Sequence, residues 1–331
     1  MRICVLEVRE DEREDLAEVA DIACVEVCLH GEVPSTENVE LVRGCEGVSI
    51  LGQGAITADL LEAWAGLGVR YLSTRTIGYD HIDLAAARAA GIRVCNASYP
   101  PSGVAEFTVM LMLMCLRNYK QSLWRGQVND FSLDGLEGWE LGDQTVGVLG
   151  TGRIGRAVIG ILEGFGCRIV AYDPHPKQDL ACRGVEYLSF DEMLAESTVI
   201  TLHVPLTQGT YHLVCDETIA KMRDGVTIIN CARGGLADMG AMIRGIESGK
   251  IGALGLDVVE GEEGITHVDH RVDILANQQM AYLRQFRNVI MTPHMAFYTD
   301  RAVRSMAECG IGGIVDMAAG RECANELHPV A

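Results

Sequence analysis

Aromatic residues are scarce in this chain of 331 residues: they make up 5%, while 48% of positions are apolar. A core with so few rings rests on aliphatic side chains, which suits α/β domains. Positive charge is also short. Against 46 Asp and Glu there are 27 Lys and Arg, a net charge of −19. That balance argues against nucleic acid and anionic membrane surfaces as partners. It also means that an anionic substrate would need a local cationic anchor. No apolar run is long enough to span a bilayer, since the longest, residues 107–116, reaches about half of one. No signal-peptide pattern opens the chain: Glu7 interrupts the first apolar run, and the acidic residues 10–15 follow. Among 12 cysteines there is no C-x-x-C pair, and the closest two, Cys24 and Cys28, fall on one predicted strand. The expectation is a cytoplasmic protein with reduced thiols and no metal.

Residues 145–173 organise what is present. An apolar run, 146–149, reads as a buried strand, and Gly150-Thr151-Gly152-Arg153-Ile154-Gly155 follows it. A helical stretch over 156–165 leads to a second apolar run that ends on Asp173, 23 residues after Gly150. A glycine turn alone can match by chance; strands on both sides and the terminal acid make the dinucleotide fingerprint. Gly150 permits the tight turn, Gly152 lets the backbone approach a pyrophosphate, and Gly155 lets helix and strand pack closely. The helix N-terminus offers N–H groups to phosphate, and Arg153 and Ile154, inside the glycine turn, are expected to meet the cofactor with it. Asp173 would hold the ribose hydroxyls. A carboxylate there repels a 2′-phosphate by roughly 4 kcal/mol at ~4 Å and an effective dielectric near 20. NAD is therefore the expected cofactor.

The rest of the chain repeats strand and helix. Strands are predicted at 3–8, 24–30, 47–51, 69–73 and 92–96, with helices at 12–20, 38–42, 58–65 and 84–90. Tyr99-Pro100-Pro101 then opens one long helix to about residue 123, followed by an irregular connection over 124–142. Further strands are expected at 185–188, 198–203, 226–231, 253–259 and 288–291. Helices are expected at 190–195, 216–222, 239–247 and 300–319. The fold class is α/β with two domains. A Rossmann doubly wound parallel sheet (100–298) is inserted into a smaller flavodoxin-like α/β substrate domain (1–99 and 299–331).

Four segments fall at predicted carboxyl ends of strands, where ligands bind in such sheets. They are Thr201-Leu202-His203-Val204-Pro205, Asn230-Cys231-Ala232-Arg233-Gly234, residues 256–262 and Thr292-Pro293-His294-Met295-Ala296. An arginine matches a carboxylate with its planar fork, and a histidine exchanges a proton near neutral pH. A carboxylate against the imidazole would fix its tautomer. Glu260 and Glu262 both compete for that position. His203 reads as structural or near the cofactor. His267 and His270 read as a solvated loop, and Cys231 reads as packing.

These motifs make the chain resemble the D-isomer-specific 2-hydroxyacid dehydrogenases over essentially its whole length. The likeness is greatest to the D-lactate dehydrogenases, including the branch associated with vancomycin resistance. GTGRIG, LHVPLT, NCARGG, LDVVEGEEG and TPHMAFYT carry it, in that order. The resemblance implies NADH-dependent reduction of a 2-keto acid to the D-2-hydroxy acid by a homodimer. It makes Arg233 the substrate-carboxylate ligand, His294 the acid/base and Glu262 its partner. It places His203, Val204, Pro205, Cys231, Ala232 and Asp257 near the cofactor. Ile77, Gly78, Tyr99, Phe297 and Tyr298, with Arg233 and His294, would meet the substrate.

Pyruvate is the first expected substrate, with D-2-hydroxyisocaproate or aryllactate chemistry as alternatives. The loop Leu51-Gly52-Gln53-Gly54 lacks the aromatic that some relatives place there, which leaves room for a larger side chain. No regulatory domain is expected after Ala331, and no basic cluster occupies the first-domain loop, so 3-phosphoglycerate is disfavoured. A NAD-sensing, corepressor-like binding protein is the alternative from another class.

Overall fold

Short apolar runs separated by amphipathic helices give two parallel sheets. The computed structural model describes residues 1–328; positions 329–331, the end of the expected substrate domain, lie outside the described residues. The chain divides into Met1–Pro100 with Tyr298–Ala331, and Pro101–Phe297.

In the first unit, β1 (Arg2–Val5), β2 (Glu26–Leu29), β3 (Gly47–Ile50), β4 (Tyr71–Thr74) and β5 (Arg93–Cys95) are all parallel. Their order is β5-β4-β3-β1-β2, the flavodoxin-like arrangement, with the chain reversing direction across the sheet between β1 and β3. A two-residue strand, Glu326–Leu327, pairs antiparallel with β5. It is too short to show a period in the sequence. One face of the sheet is covered by α2 (Ala58–Gly66) and α3 (Leu84–Ala89), where Leu60, Leu61 and Trp64 bury against Leu72 and Val94. The other face carries α1 (Arg13–Ala23) and the C-terminal helix Asp300–Ala318, with Leu16, Ile311 and Ile314 packed on Ile3 and Val5.

Beneath the C-terminal helix lies a buried ion pair. Arg75 and Glu12 are both 0% exposed and meet at 3.0 Å. The Arg75 guanidinium also donates to the carbonyls of Leu6 (3.0 Å) and Glu7 (3.3 Å). Gly310 makes room for it, because a Cβ there would stand 2.8 Å from Arg75 Cγ.

In the second unit, β6 (Thr145–Leu149), β7 (Arg168–Tyr172), β8 (Glu186–Tyr187), β9 (Val199–Leu202), β10 (Val226–Asn230), β11 (Ile251–Leu256) and β12 (Val289–Met291) are all parallel. The order β12-β11-β10-β9-β6-β7-β8 is doubly wound, and its reversal falls between β6 and β9. The helix Ser102–Leu116 is apolar on nearly every side because it packs on β10, on β11 and on the fingerprint helix Arg153–Leu162.

Three expectations change. The long helix over 105–123 is two helices, Ser102–Leu116 and Tyr119–Gln127. Asn118 breaks it in the left-handed region (φ 49°), and its amide donates to the Glu137 carbonyl at 2.8 Å. Cys24 is not on a strand with Cys28; it ends α1 in the left-handed conformation. The strand expected over 253–259 stops at Leu256, which frees Asp257, Val258 and Val259 to form a loop.

Removing Arg75 would strand the Glu12 charge in the core. An Arg75→Met variant should lose about 3–5 kcal/mol of stability, the usual effect of breaking a buried pair from one side. Urea unfolding checks this, and a loss under about 1 kcal/mol would mean that the pair behaves like an exposed one.

Candidate active site

The loops after β6 and β9 meet at the switch point. Gly150 sits at φ +92°, and a Cβ on it would lie 2.8 Å from the His203 carbonyl oxygen and 2.9 Å from Val204 Cγ1. Gly155 is tighter still, with the Gly150 carbonyl oxygen 2.1 Å from any Cβ placed there. Gly152 is the N-cap of the fingerprint helix and faces open space, with nothing within 4 Å of its Cβ position. A glycine N-cap brings no side chain of its own to cover the first-turn amides, so a phosphate can approach at Arg153, Ile154 and Gly155.

Asp173, at the end of β7, accepts from the Thr151 amide (2.7 Å) and hydroxyl (2.9 Å) through one oxygen and from the His175 amide (2.8 Å) through the other. Burial pushes this carboxyl up, but those donors, with Lys177, hold it below the usual aspartate range. The acid therefore stays ionised and also closes the glycine loop. Tyr187 donates to the Thr151 hydroxyl at 3.0 Å. No local pattern signals this contact, which joins residues 36 positions apart. The residues present fit a dinucleotide: an open helix end, an approachable glycine and an ionised acid at the next strand end.

His203 donates its amide to the Leu149 carbonyl (2.8 Å), and its Nε2 lies 2.9 Å from the Thr201 hydroxyl. Desolvation pushes its imidazole down to about 3, so it is neutral and not a proton donor near neutrality. Cys231 is buried, and burial, reinforced by the Asp257 charge, pushes its thiol up to about 12. That removes it as a nucleophile and supports its reading as packing. Pro205 is exposed, and Ala232 is half-buried.

The second cluster is built around Asp257. Its carboxylate accepts from the Thr292 hydroxyl (2.5 Å), the Met295 amide (2.9 Å) and the Ala296 amide (2.8 Å). Its carbonyl accepts the His294 amide at 2.8 Å. Four bonds from one residue hold His294 at φ +51°, a conformation that is costly for a side-chain-bearing residue. Asp257, expected from the resemblance near the cofactor, thus anchors the histidine turn.

His294 Nδ1 lies 2.7 Å from Glu262 Oε1, and the carboxylate must accept, so Nδ1 carries the hydrogen. Nε2 is left as the nitrogen that can gain or lose a proton. The other Glu262 oxygen accepts the Val259 amide at 2.9 Å. Glu260 is engaged elsewhere, by Tyr211 (2.8 Å) and His212 (2.9 Å). The competition between the two glutamates is decided by that geometry. Arg233 follows β10 in a loop pinned by Asn230, whose amide donates to the Arg233 carbonyl (2.9 Å) and whose oxygen accepts the Ala232 amide (3.0 Å). Gly234 brings this loop against the Glu262 loop, since a Cβ would stand 2.2 Å from the Val259 carbonyl carbon.

His267 is exposed, as a loop residue should be, but it is not merely solvated. Its Nε2 donates to the His294 carbonyl at 3.0 Å, and Phe297 lies edge-on to both rings at 6.2 and 6.3 Å. Nothing in the spacing of residues 262–294 signalled that contact. His270 turns instead to Asp273 (3.0 Å) and the Gly264 carbonyl (3.2 Å). In the first unit, the Ile77 carbonyl accepts from Asn96 (2.7 Å), and the Gly78 carbonyl accepts from Thr76 (2.6 Å). Tyr99 follows β5, and Tyr298 lies under Arg9, 5.3 Å from its ring centre.

Residues 109–296 match the family model described as the NAD binding domain of the D-isomer specific 2-hydroxyacid dehydrogenases. The chain belongs to that family. It is a NAD-dependent oxidoreductase. An aromatic 2-oxoacid reductase of Clostridium sporogenes is 43% identical over 86% of this chain and 87% of its own. A D-specific alpha-keto acid dehydrogenase of Enterococcus faecium is 42% identical over 83% and 84%. Among solved structures, the pyruvate reductase of Chlamydomonas reinhardtii superposes with a TM-score of 0.90 at 34% identity, covering 98% of each chain. Within the second unit the two clusters follow different strands, one at β6, β7 and β9, the other at β10, β11 and β12.

Two outcomes follow. With an ionised Asp173 at the strand end that follows the glycine turn, kcat/KM with NADH should exceed that with NADPH by at least about tenfold, which is roughly 1.4 kcal/mol; steady-state kinetics with both cofactors checks this. The depressed folded-state value of His203 means that its contribution to stability is present above about pH 6.5 and is lost as pH falls toward 3. A His203→Gln variant should therefore lose less Tm than the parent between pH 6.5 and 4, and parallel curves would refute the neutral histidine.

Proposed function

We propose that this dehydrogenase reduces a small 2-keto acid to the D-2-hydroxy acid, with pyruvate as the first substrate. The single observation that carries the reading is the His294–Glu262 bond of 2.7 Å beside the arginine loop. In this reading Arg233 binds the substrate carboxylate and draws charge toward the keto oxygen. His294 Nε2 donates a proton to that oxygen, and Glu262 stabilises the imidazolium that supplies it. NADH, held by residues 150–155 and Asp173, provides the hydride when bound. Ile77, Gly78 and Tyr99, assigned to the substrate by the family resemblance, belong to the same proposal.

An arylpyruvate is the second reading. The loop at 51–54 carries no ring, and the 43% identical relative is named as an aromatic 2-oxoacid reductase. A homodimer is part of the proposal as well. Trp124, Phe131, Leu133 and Trp139 leave a strongly exposed apolar stretch in the nucleotide-binding unit, with Leu133 at 83%. Exposed apolar residues gathered in one stretch of sequence support an association surface there. Among the described residues, no helix is long and apolar enough to cross a membrane.

An NADH-oxidation assay against pyruvate, 2-ketoisocaproate and phenylpyruvate tests activity and substrate together. No turnover with any of them would favour a NAD-sensing binding protein. A His294→Gln variant should bind NADH as the parent does and lose about 10²–10⁴ in kcat, the usual contribution of a general acid. Wild-type kcat in that variant would falsify the assignment.

A further inference from the structure

Glu7 is a buried acid for which the proposed chemistry has no use. It directly follows the run begun by β1, is 2% exposed, and adopts φ +57°. Its carboxylate accepts from four consecutive backbone amides of the loop after β3. Leu51 and Gly52 (2.7 Å) donate to one oxygen, Gln53 (2.8 Å) and Gly54 (3.1 Å) to the other. Each oxygen thus takes two N–H groups, an array that suits an anion. Arg75 grips the Glu7 carbonyl from below.

The position has a meaning in the topology. The loops after β1 and β3 flank the switch point of a flavodoxin-like sheet, where ligands bind in this class of fold. The protein fills that crevice with a carboxylate of its own. The same loop reaches the segment after β4. Gly52 rests on the His81 ring, with a Cβ position 2.8 Å from Cε1. His81 Nε2 lies 3.3 Å from Thr74 Oγ1, Thr74 Oγ1 lies 2.6 Å from Thr76 Oγ1, and Thr76 donates to the Gly78 carbonyl.

We propose that Glu7 is a built-in carboxylate ligand that occupies an anion cradle at the β1/β3 switch point and so acts as the positioning residue for the loop 51–54, on which discrimination among 2-keto acids by side-chain size depends. The clause about discrimination rests on the proposed function; the cradle does not. The chain from Gly52 through His81 to Gly78 carries the loop's placement into the segment that the family resemblance assigns to the substrate.

Two variants test this. Glu7→Gly suits the left-handed backbone and empties the cradle. Glu7→Gln keeps the volume but replaces one accepting oxygen with a donor. In Glu7→Gly, formate should raise Tm saturably and by clearly more than in the parent, where only the proposed substrate site is open to a carboxylate. The ratio of kcat/KM for pyruvate to that for phenylpyruvate should change at least tenfold in both variants, with NADH affinity by fluorescence titration unchanged. Formate should move the ratio of Glu7→Gly back toward the parent's. If formate stabilises Glu7→Gly no more than the parent, the cradle is wrong. If both variants keep the parent's ratio, the positioning role is wrong. Should Glu7→Gly not fold, Glu7→Gln decides the kinetic arm alone, and an unchanged ratio overturns the proposal. A parent enzyme that reduces no 2-keto acid would sink the proposed function instead, while the formate arm would still decide the cradle.

Discussion

The His294–Glu262 pair depends on a neighbouring carboxylate, Asp257, whose oxygens are all taken by the turn that carries the histidine. Asp257 is buried at the end of β11, and its two oxygens and its carbonyl accept four donors from the turn 292–296. A histidine at φ +51° persists only where its surroundings over-determine it. Asp257 supplies that determination. The imidazole is thereby aimed at Glu262, and the Nδ1–H bond to Glu262 leaves Nε2 for proton exchange. His267 adds a donor to the His294 carbonyl.

The two sheets treat their switch points in opposite ways. At β6/β9 the backbone is kept bare: Gly152 faces open space, and Gly150 and Gly155 pack so closely that no side chain could intervene. At β1/β3 the loop amides are instead taken by Glu7. The same topological reversal thus yields an open phosphate cradle in one unit and a carboxylate-filled crevice in the other. The difference rests on single residues, a glycine N-cap in the one case and a glutamate in the other.

Much of this was legible along the chain. The strand and helix rhythm was readable because buried parallel strands are apolar throughout and their helices carry a stripe. The fingerprint was readable because its glycines answer local steric demands at fixed spacing. The single helix expected over 105–123 failed at Asn118, whose left-handed turn is held by the distant Glu137 carbonyl. Strand ends at 253–259 were overrun because Val258 and Val259 are apolar and buried yet lie in the loop that presents Glu262.

Local chemistry in the sequence determined the cofactor class, the family and the set of side chains able to exchange a proton or bind a carboxylate, since each depends on residue type at short spacing. Residue type alone left Glu260 and Glu262, two positions apart, both able to meet the histidine; the resemblance pointed to Glu262, and the fold settles the contact because Tyr211 and His212 claim Glu260. The roles of Asp257, His267 and Glu7 were decided there too. Each depends on hydrogen bonds to backbone groups 27 to 47 positions away. A sequence names its side chains, but it does not say which distant amides the fold will turn toward them.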